Sequence, residues 1–303
     1  MDSTSTPEPA ALDSSAFGLL LLHRSLRQEH SSLRRFPDSA CLVAAFAAGL
    51  CSIAATRSES DTIRDNLHLR YGVAGPRCRV LDKRHFIINY EDRWRIAYWS
   101  AYLLTPGLLE GTAPRRNRFR PDPEVPEGTR STLDDYKGSI FDRGHLAPAA
   151  DFTRSREAMS TTFLLSNISP QYPNTNQGIW RDLENQIRSL ARGMDSTWVV
   201  TGNLFMSRDS QPADPRLWIT RRGRNRVAVP THLFDAILAK DAAGRWCAYA
   251  FLVPNQSARN PNPTVAYRVS VDRLEELTGF DFFVRLDRAT QERIESEIPA
   301  WPW

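Results

Sequence analysis

The sequence predicts an α+β fold built on a largely antiparallel sheet. Three observations predict it: strand-length apolar runs outnumber helical ones, helical patterns come singly, and the links between successive strands are short. The chain has 303 residues, 41% hydrophobic and 24% charged, the composition of a soluble globular protein and not of a disordered one.

Three regions are expected. Residues 1–39 read as a leader: "MDSTSTPEPAALDSS" is polar and proline-containing. Residues 40–56 hold an apolar segment, "ACLVAAFAAGLCSIAA", preceded by Arg34 and Arg35. It is short for a membrane span and suits a signal-peptide core, a signal anchor or an organelle presequence. Asp2, Glu8 and Asp13 fit poorly with a transit peptide, and a buried helix of the fold is the remaining alternative. Residues 57–303 are expected to form a single catalytic domain.

Within that domain, "HFIINY" (85–90) and "RIAYWSAYLL" (95–104) read as strands joined by a polar turn at Glu91-Asp92-Arg93. A long loop rich in Pro, Gly and Arg follows at 111–135; loops of that length are functional or disordered. "TTFLLSNISPQ" (161–171) reads as a strand stopped by Pro170. "QGIWRDLENQIRSLAR" (177–192) is a helix, with Trp180, Leu183, Ile187 and Leu190 at helical spacing. "STWVVTGNLF" (196–205), "RVAVPTHLFDAILAKD" (226–241) and "RWCAYAFLVPN" (245–255) read as strands with turns. "SVDRLEELTGF" (270–280) is a short helix capped by Ser270 and stopped at Gly279.

The net charge is only +4, but the basic side is mostly arginine, which binds phosphate in two-pronged fashion. An anionic partner fits, as does a mildly basic soluble surface. The four cysteines, Cys41, Cys51, Cys78 and Cys247, include no Cys-x-x-Cys pair, which argues against a cysteine-built zinc site. Cys78 and Cys247 would pair only in an oxidising compartment.

The chemistry centres on "YKGSIFDRGHLAPAADF" (136–152). His145 either packs structurally or takes a proton from water, as a neutral imidazole does near pH 7. Arg143 is a permanent cation able to meet a phosphate, and Gly144 permits close approach of a backbone or ligand. Downstream, Asn176 precedes the amphipathic helix, where it is either an N-cap or a hard oxygen ligand for Mg²⁺. Glu184 and Arg188 are four apart on that helix, a spacing that makes either a surface ion pair or a pair facing a site. Asn167-Ile-Ser169 matches a glycosylation sequon, but Pro170 and a strand end make it a poor acceptor.

The combination "DRGHLAPAADF", "AMSTTFLLSNISPQ", "NQGIWRDLENQIRSLAR", "VVTGNLF", "VAVPTHLFDAIL" and "FLVPN" resembles the DNA/RNA non-specific endonucleases of the ββα-metal (His-Me finger) type, over roughly Tyr71 to Phe283. That resemblance implies a ββα-metal nuclease fold with a central, mainly antiparallel sheet flanked by helices. It implies a Mg²⁺-dependent endonuclease (Mn²⁺ as a substitute) that hydrolyses DNA and RNA and leaves 5′-phosphate ends. His145 would be the general base, Asn176 the single direct metal ligand, and Glu184 the holder of the metal's waters. Arg143, Arg188 and one upstream arginine would stabilise the transition state, Asn167 would position the site, and Asp142 and Gly144 would support it. The upstream arginine is open among Arg115, Arg116 and Arg118; Arg116 and Arg118, with Arg143, are the expected substrate contacts. One departure from the family pattern is Gly202-Asn203, where the family has Gly-Pro.

The "RRNRFR" (115–120) and "RRGRNR" (221–226) stretches would add backbone contacts or are solvated basic loops. Two other readings remain: an exonuclease-type relative, and a nucleic-acid-binding relative without catalysis. A homodimer is implied by resemblance only, and no membrane partner is expected for the mature domain. An unselective nuclease must be kept from its own genome, so export to the periplasm or medium is expected, with the mitochondrial intermembrane space as the alternative.

Overall fold

Four nine-residue strands, nearly all buried, make the centre of the fold. The computed structural model describes residues 66–303, apart from Arg77, Ser210 and the side chain of Asn225. The expected leader (1–39), the apolar segment (40–56), Cys41 and Cys51 therefore lie outside the described residues.

The strands in chain order are β1 (Val73–Ala74), β2 (Arg79–Asp82), β3 (Ile87–Glu91), β4 (Ile96–Leu104), β5 (Asp142–His145), β6 (Ile168–Gln171), β7 (Ser196–Leu204), β8 (Leu217–Arg221), β9 (Arg224–Val229), β10 (His232–Lys240), β11 (Trp246–Pro254), β12 (Arg268–Val269) and β13 (Asp281–Phe282). The principal helices are α1 (Arg156–Thr161), α2 (Arg181–Gly193), α3 (Val271–Thr278) and α4 (Arg288–Glu295). Seven strands form one sheet in the order β12-β11-β10-β7-β4-β3-β2, every pair antiparallel. Strands β5 and β6 form a separate two-stranded ribbon, as do β8 and β9.

Period-two alternation divides the sheet's side chains between two cores. On one face Tyr102, Leu104, Val199, Ile237 and Phe251 pack with Leu183, Ile187 and Leu190 of α2. On the other, Trp99, Ala101, Val200, Phe234 and Ala250 pack with Leu274 and Leu277 of α3 and Ile294 of α4. The expected antiparallel sheet flanked by helices is what the chain forms. Residues 105–195, with the ribbon and α2, are one long excursion between the adjacent strands β4 and β7.

Local expectations needed correction. Only the last four residues of 161–171 are strand: α1 runs to Thr161 and a 3-10 turn covers Leu165–Asn167. Hydrogen bonds from the Asn167 side chain override the strand propensity there. Pro170 lies inside β6 opposite Arg143, which a two-stranded ribbon tolerates because one side of each strand is an edge. The 111–135 loop is pinned at mid-length: Arg120 bridges Leu164, and Asp122 pairs with buried Lys83 at 2.7 Å. The arginine-rich 221–226 stretch is the turn of the β8–β9 hairpin, and Arg226 is paired to the buried Asp135 at 2.6 Å. Cys78 and Cys247 are free thiols. No helix of the described residues is long and apolar enough to cross a membrane.

Candidate active site

The ribbon sets the register of the motif. His145 lies opposite Ile168, Gly144 opposite Ser169, Arg143 opposite Pro170 and Asp142 opposite Gln171. A Cβ on Gly144 would meet Gln171 Cδ at 2.1 Å, so the space left by the missing side chain holds the Gln171 side chain. The close approach that Gly144 was expected to permit, of a backbone or a ligand, is made instead by a side chain of the neighbouring strand.

His145 is 7% exposed and its Nε2 has no hydrogen-bond partner. Phe163 meets the imidazole edge-on at 4.8 Å between centroids, and Phe119 lies at 5.5 Å. Burial, and after it the Arg115 charge, lower the imidazole from its ordinary 6.5 to about 3. It is therefore neutral at pH 7, with a buried nitrogen able to accept a proton. In the unfolded chain the imidazole protonates near 6.5, so below that pH the unfolded state takes up a proton that the fold refuses. His145 thus costs stability as the pH falls from 6.5 towards 3. The urea midpoint of a His145→Phe variant is expected to fall less than that of the wild type over this range; parallel curves would contradict it.

Asn176 does not cap α2. It lies in a widened turn, Thr175–Trp180, broken at Gly178 (φ −109°, ψ −113°) before the regular helix begins. Its Nδ2 donates to Asp142 Oδ2 at 2.8 Å, and Gln177 Nε2 donates to the same oxygen at 2.7 Å. A carboxylate only accepts, so Asp142 faces the amide nitrogen and leaves the Asn176 carbonyl oxygen without a partner among the described residues. This defines what Asp142 does: it sets the orientation of Asn176.

Glu184 is half-buried on α2. Burial, then the nearby Asp151, push its carboxyl up to about 8, while Arg188, Arg115 and Arg181 oppose the rise. Arg188 is buried and pairs with Asp151, not Glu184: its Nε donates to Asp151 Oδ1 at 2.5 Å and its Nη1 to Asn185 Oδ1 at 2.8 Å. Asp151 sits in the quoted motif stretch, but nothing in the sequence pointed to it as the partner of Arg188.

Arg115, with its guanidinium 5.5 Å from the Phe163 ring, acts electrostatically on both His145 and Glu184. All three upstream arginines are exposed, and Arg115 is the one whose charge acts on His145 and Glu184. Arg143 is exposed and lies 4.3 Å over Phe119, the ring that also flanks His145. Phe119 and Phe163, which sequence reasoning passed over, are the walls that hold the imidazole.

Asn167 is fully buried. Its Oδ1 accepts from Ser100 Oγ (2.9 Å) and Ala147 N (3.0 Å), and its Nδ2 donates to Ala147 O (2.9 Å) and Thr162 O (3.0 Å). With its amide committed to protein groups, it positions the segment after His145 and does not meet substrate; nor is it a glycosylation acceptor. Asn203 makes a second tie. Its Oδ1 accepts from Ser169 Oγ at 2.6 Å and its Nδ2 donates to Ala97 O at 2.7 Å. The family's proline at this position could not link the ribbon to the sheet this way.

The residues suit a hard cation. Asn176 offers a carbonyl oxygen and Glu184 a carboxyl group that a bound cation would ionise, with no sulfur beside them and with Asp142 and Asp151 already engaged by Asn176 and Arg188.

Residues 64–289 match the DNA/RNA non-specific endonuclease family. Nuclease C1 of Cunninghamella echinulata var. echinulata is 36% identical over 227 residues, covering 73% of this chain and 89% of that protein. Human mitochondrial endonuclease G is 37% identical over 216 residues, covering 70% and 72%. Mitochondrial nuclease EXOG of Xenopus laevis is 36% identical over 204 residues, covering 66% and 57%. A solved structure of an EndoG/EndoGI complex superposes with a TM-score of 0.67 at 26% identity, covering 74% of this chain and 92% of that one.

Proposed function

The chain belongs to the DNA/RNA non-specific endonuclease family and is a hydrolytic nuclease of ββα-metal architecture, and we propose that it cuts with His145 as general base and one Mg²⁺ on Asn176. The observation that carries this reading is the buried, unpartnered Nε2 of His145, three residues along β5 from the carboxylate that turns Asn176.

In this reading His145 Nε2 takes a proton from a water molecule. The water oxygen attacks phosphorus, the bond to the 3′-oxygen breaks, that oxygen takes a proton from solvent water, and a 3′-hydroxyl and a 5′-phosphate end remain. A bound phosphodiester is anionic, so it raises the proton affinity of the imidazole back towards its ordinary value and improves it as a base. Asn176 would hold Mg²⁺ and Glu184 would order its waters, and the bound ion would supply positive charge to the phosphate and the leaving oxygen. Arg115 and Arg143 face the negative charge that grows on the phosphate oxygens. Arg188, locked to Asp151, fixes the charge beside Glu184. Exposed Arg116 and Arg118 bind flanking phosphates, which accounts for low sequence preference and predicts strong salt dependence.

The test is closed circular DNA and a single-stranded RNA, each with Mg²⁺ and with a chelator. Both substrates are expected to be cut with Mg²⁺, at rates that fall steeply with salt, and neither with chelator. Surviving circles beside degraded linear DNA would indicate the exonuclease-type alternative; tight binding without cutting would indicate an inactive relative.

For the compartment, the animal relatives named above are mitochondrial by name, which supports mitochondrial confinement over export. Residues 1–56 are then a leader and apolar segment ahead of one catalytic domain, and the N-terminus of the mature protein tests this. The homodimer implied by the resemblance is tested by the mass in solution.

A further inference from the structure

Helices α3 and α4 pack on the opposite face of the sheet from α2 and the active centre. Asp272 and Glu275, three apart on α3, share one side of that helix. Glu295 is the last residue of α4. One carboxylate oxygen from each of the three lies within 4.8 Å of the others.

Repulsion alone would drive such a group apart, and here it is held together. Glu295 is 5% exposed, and its Oε1 has no hydrogen-bond partner among the described residues. It also stands at a helix C-terminus, where the helix dipole opposes a negative charge. Glu275 is fixed by Phe282 N, which donates to its Oε1 at 2.7 Å. Asp281 adds a fourth negative charge nearby. Among the described residues no arginine or lysine pairs with any of the three. Of the three arginines on these helices, Arg273 pairs with Glu276 and Arg288 with Glu292, both at 2.7 Å, and Arg293 makes no ion pair with the cluster among the described residues.

We propose that Asp272, Glu275 and Glu295 form a divalent-cation site, separate from the active centre, that takes Ca²⁺ in preference to Mg²⁺ and ties α4 to α3. The chemistry selects the ion. All the donors are carboxylate oxygens, so soft or borderline metals gain nothing here. Three oxygens within 4.8 Å of one another can all be reached by one ion with bonds of about 2.3–2.6 Å, the range of Ca²⁺. Mg²⁺ requires a tighter octahedron and gives up its waters reluctantly. Asp272 is exposed, which leaves a solvent side where water completes the coordination. Glu295 supplies the buried oxygen that the ion satisfies.

The experiment compares the wild type with Glu295→Gln by equilibrium dialysis against Ca²⁺ and by thermal unfolding. The wild type is expected to hold one more Ca²⁺ per chain than the variant, whatever the active centre binds. Saturating Ca²⁺ is expected to raise its melting temperature by about 5 °C beyond any rise in the variant. In chelator the variant should melt no lower than the wild type, because the substitution removes repulsion. Asp272→Asn, at an exposed position, should weaken Ca²⁺ binding at least several-fold and serves if Glu295→Gln does not fold. Equal Ca²⁺ counts and equal shifts in wild type and variants would overturn the proposal. So would stabilisation of the wild type by acid but not by Ca²⁺, which would mean that the cluster shares a proton instead.

Discussion

His145→Ala is expected to reduce turnover on supercoiled plasmid by about 10²–10⁴-fold, the range over which a positioned general base accelerates proton transfer. The fold should survive. The Nε2 atom has no hydrogen-bond partner to abandon, and the ring is held by contacts with Phe119 and Phe163. Removing a buried polar group offsets part of the cost of the cavity it leaves. Circular dichroism and the urea midpoint check that the loss is chemical and not structural. Asn176→Ala supplies the contrast. It should also lose activity by orders of magnitude, but the Mg²⁺ concentration for half-maximal rate should rise with it, whereas in His145→Ala it should stay near the wild-type value. Wild-type turnover in either variant would remove that residue from the role assigned to it.

The largest effect on stability is expected from Asn167→Ala. The side chain closes four hydrogen bonds in a fully buried position, to Ser100, to both backbone groups of Ala147, and to Thr162. Truncation strands several buried polar groups, each costing about 1–3 kcal/mol. A total loss of about 4 kcal/mol or more is expected, in the range that single substitutions rarely reach. Asn167→Asp should fare no better, because an oxygen would then face the carbonyls of Ala147 and Thr162. Urea denaturation reads the effect as a lower midpoint at unchanged slope. Because Ala147 follows His145 by two residues, any folded fraction should also show reduced kcat. A midpoint within experimental error of the wild type would mean that neighbouring groups re-pair without Asn167.

Much of this was legible in the sequence. The strands at 85–90, 95–104, 196–205 and 245–255 were readable because burial on both faces writes long apolar runs. Helix α3 was readable down to its termini, because Ser270 and Gly279 act locally: the serine side chain accepts from Arg273 N, and the glycine takes φ +69°. Helix α4 and strand β8 were missed, since their short segments bury few side chains, whereas β9, with Val227, Ala228 and Val229 buried, fell within the stretch read as strand at 226–241. The stretch at 161–171 misled because its apolar residues suit a strand, while the Asn167 amide bonds that set its path reach residues far along the chain.

The sequence by itself determined the α+β class, the order of the main elements, the family and the identity of the residues that gather at the site. Tertiary structure decided which of them face one another. Asp142 turned out to hold Asn176, Asp151 to hold Arg188, Gln171 to occupy the space over Gly144, and Arg115 to be the upstream arginine whose charge reaches His145. The physical reason is that hydrophobic periodicity and capping report only a residue's own side of its own element. Which side chain stands opposite depends on how the β5–β6 ribbon and α2 dock within the excursion between β4 and β7, and that docking is fixed by contacts distant in sequence.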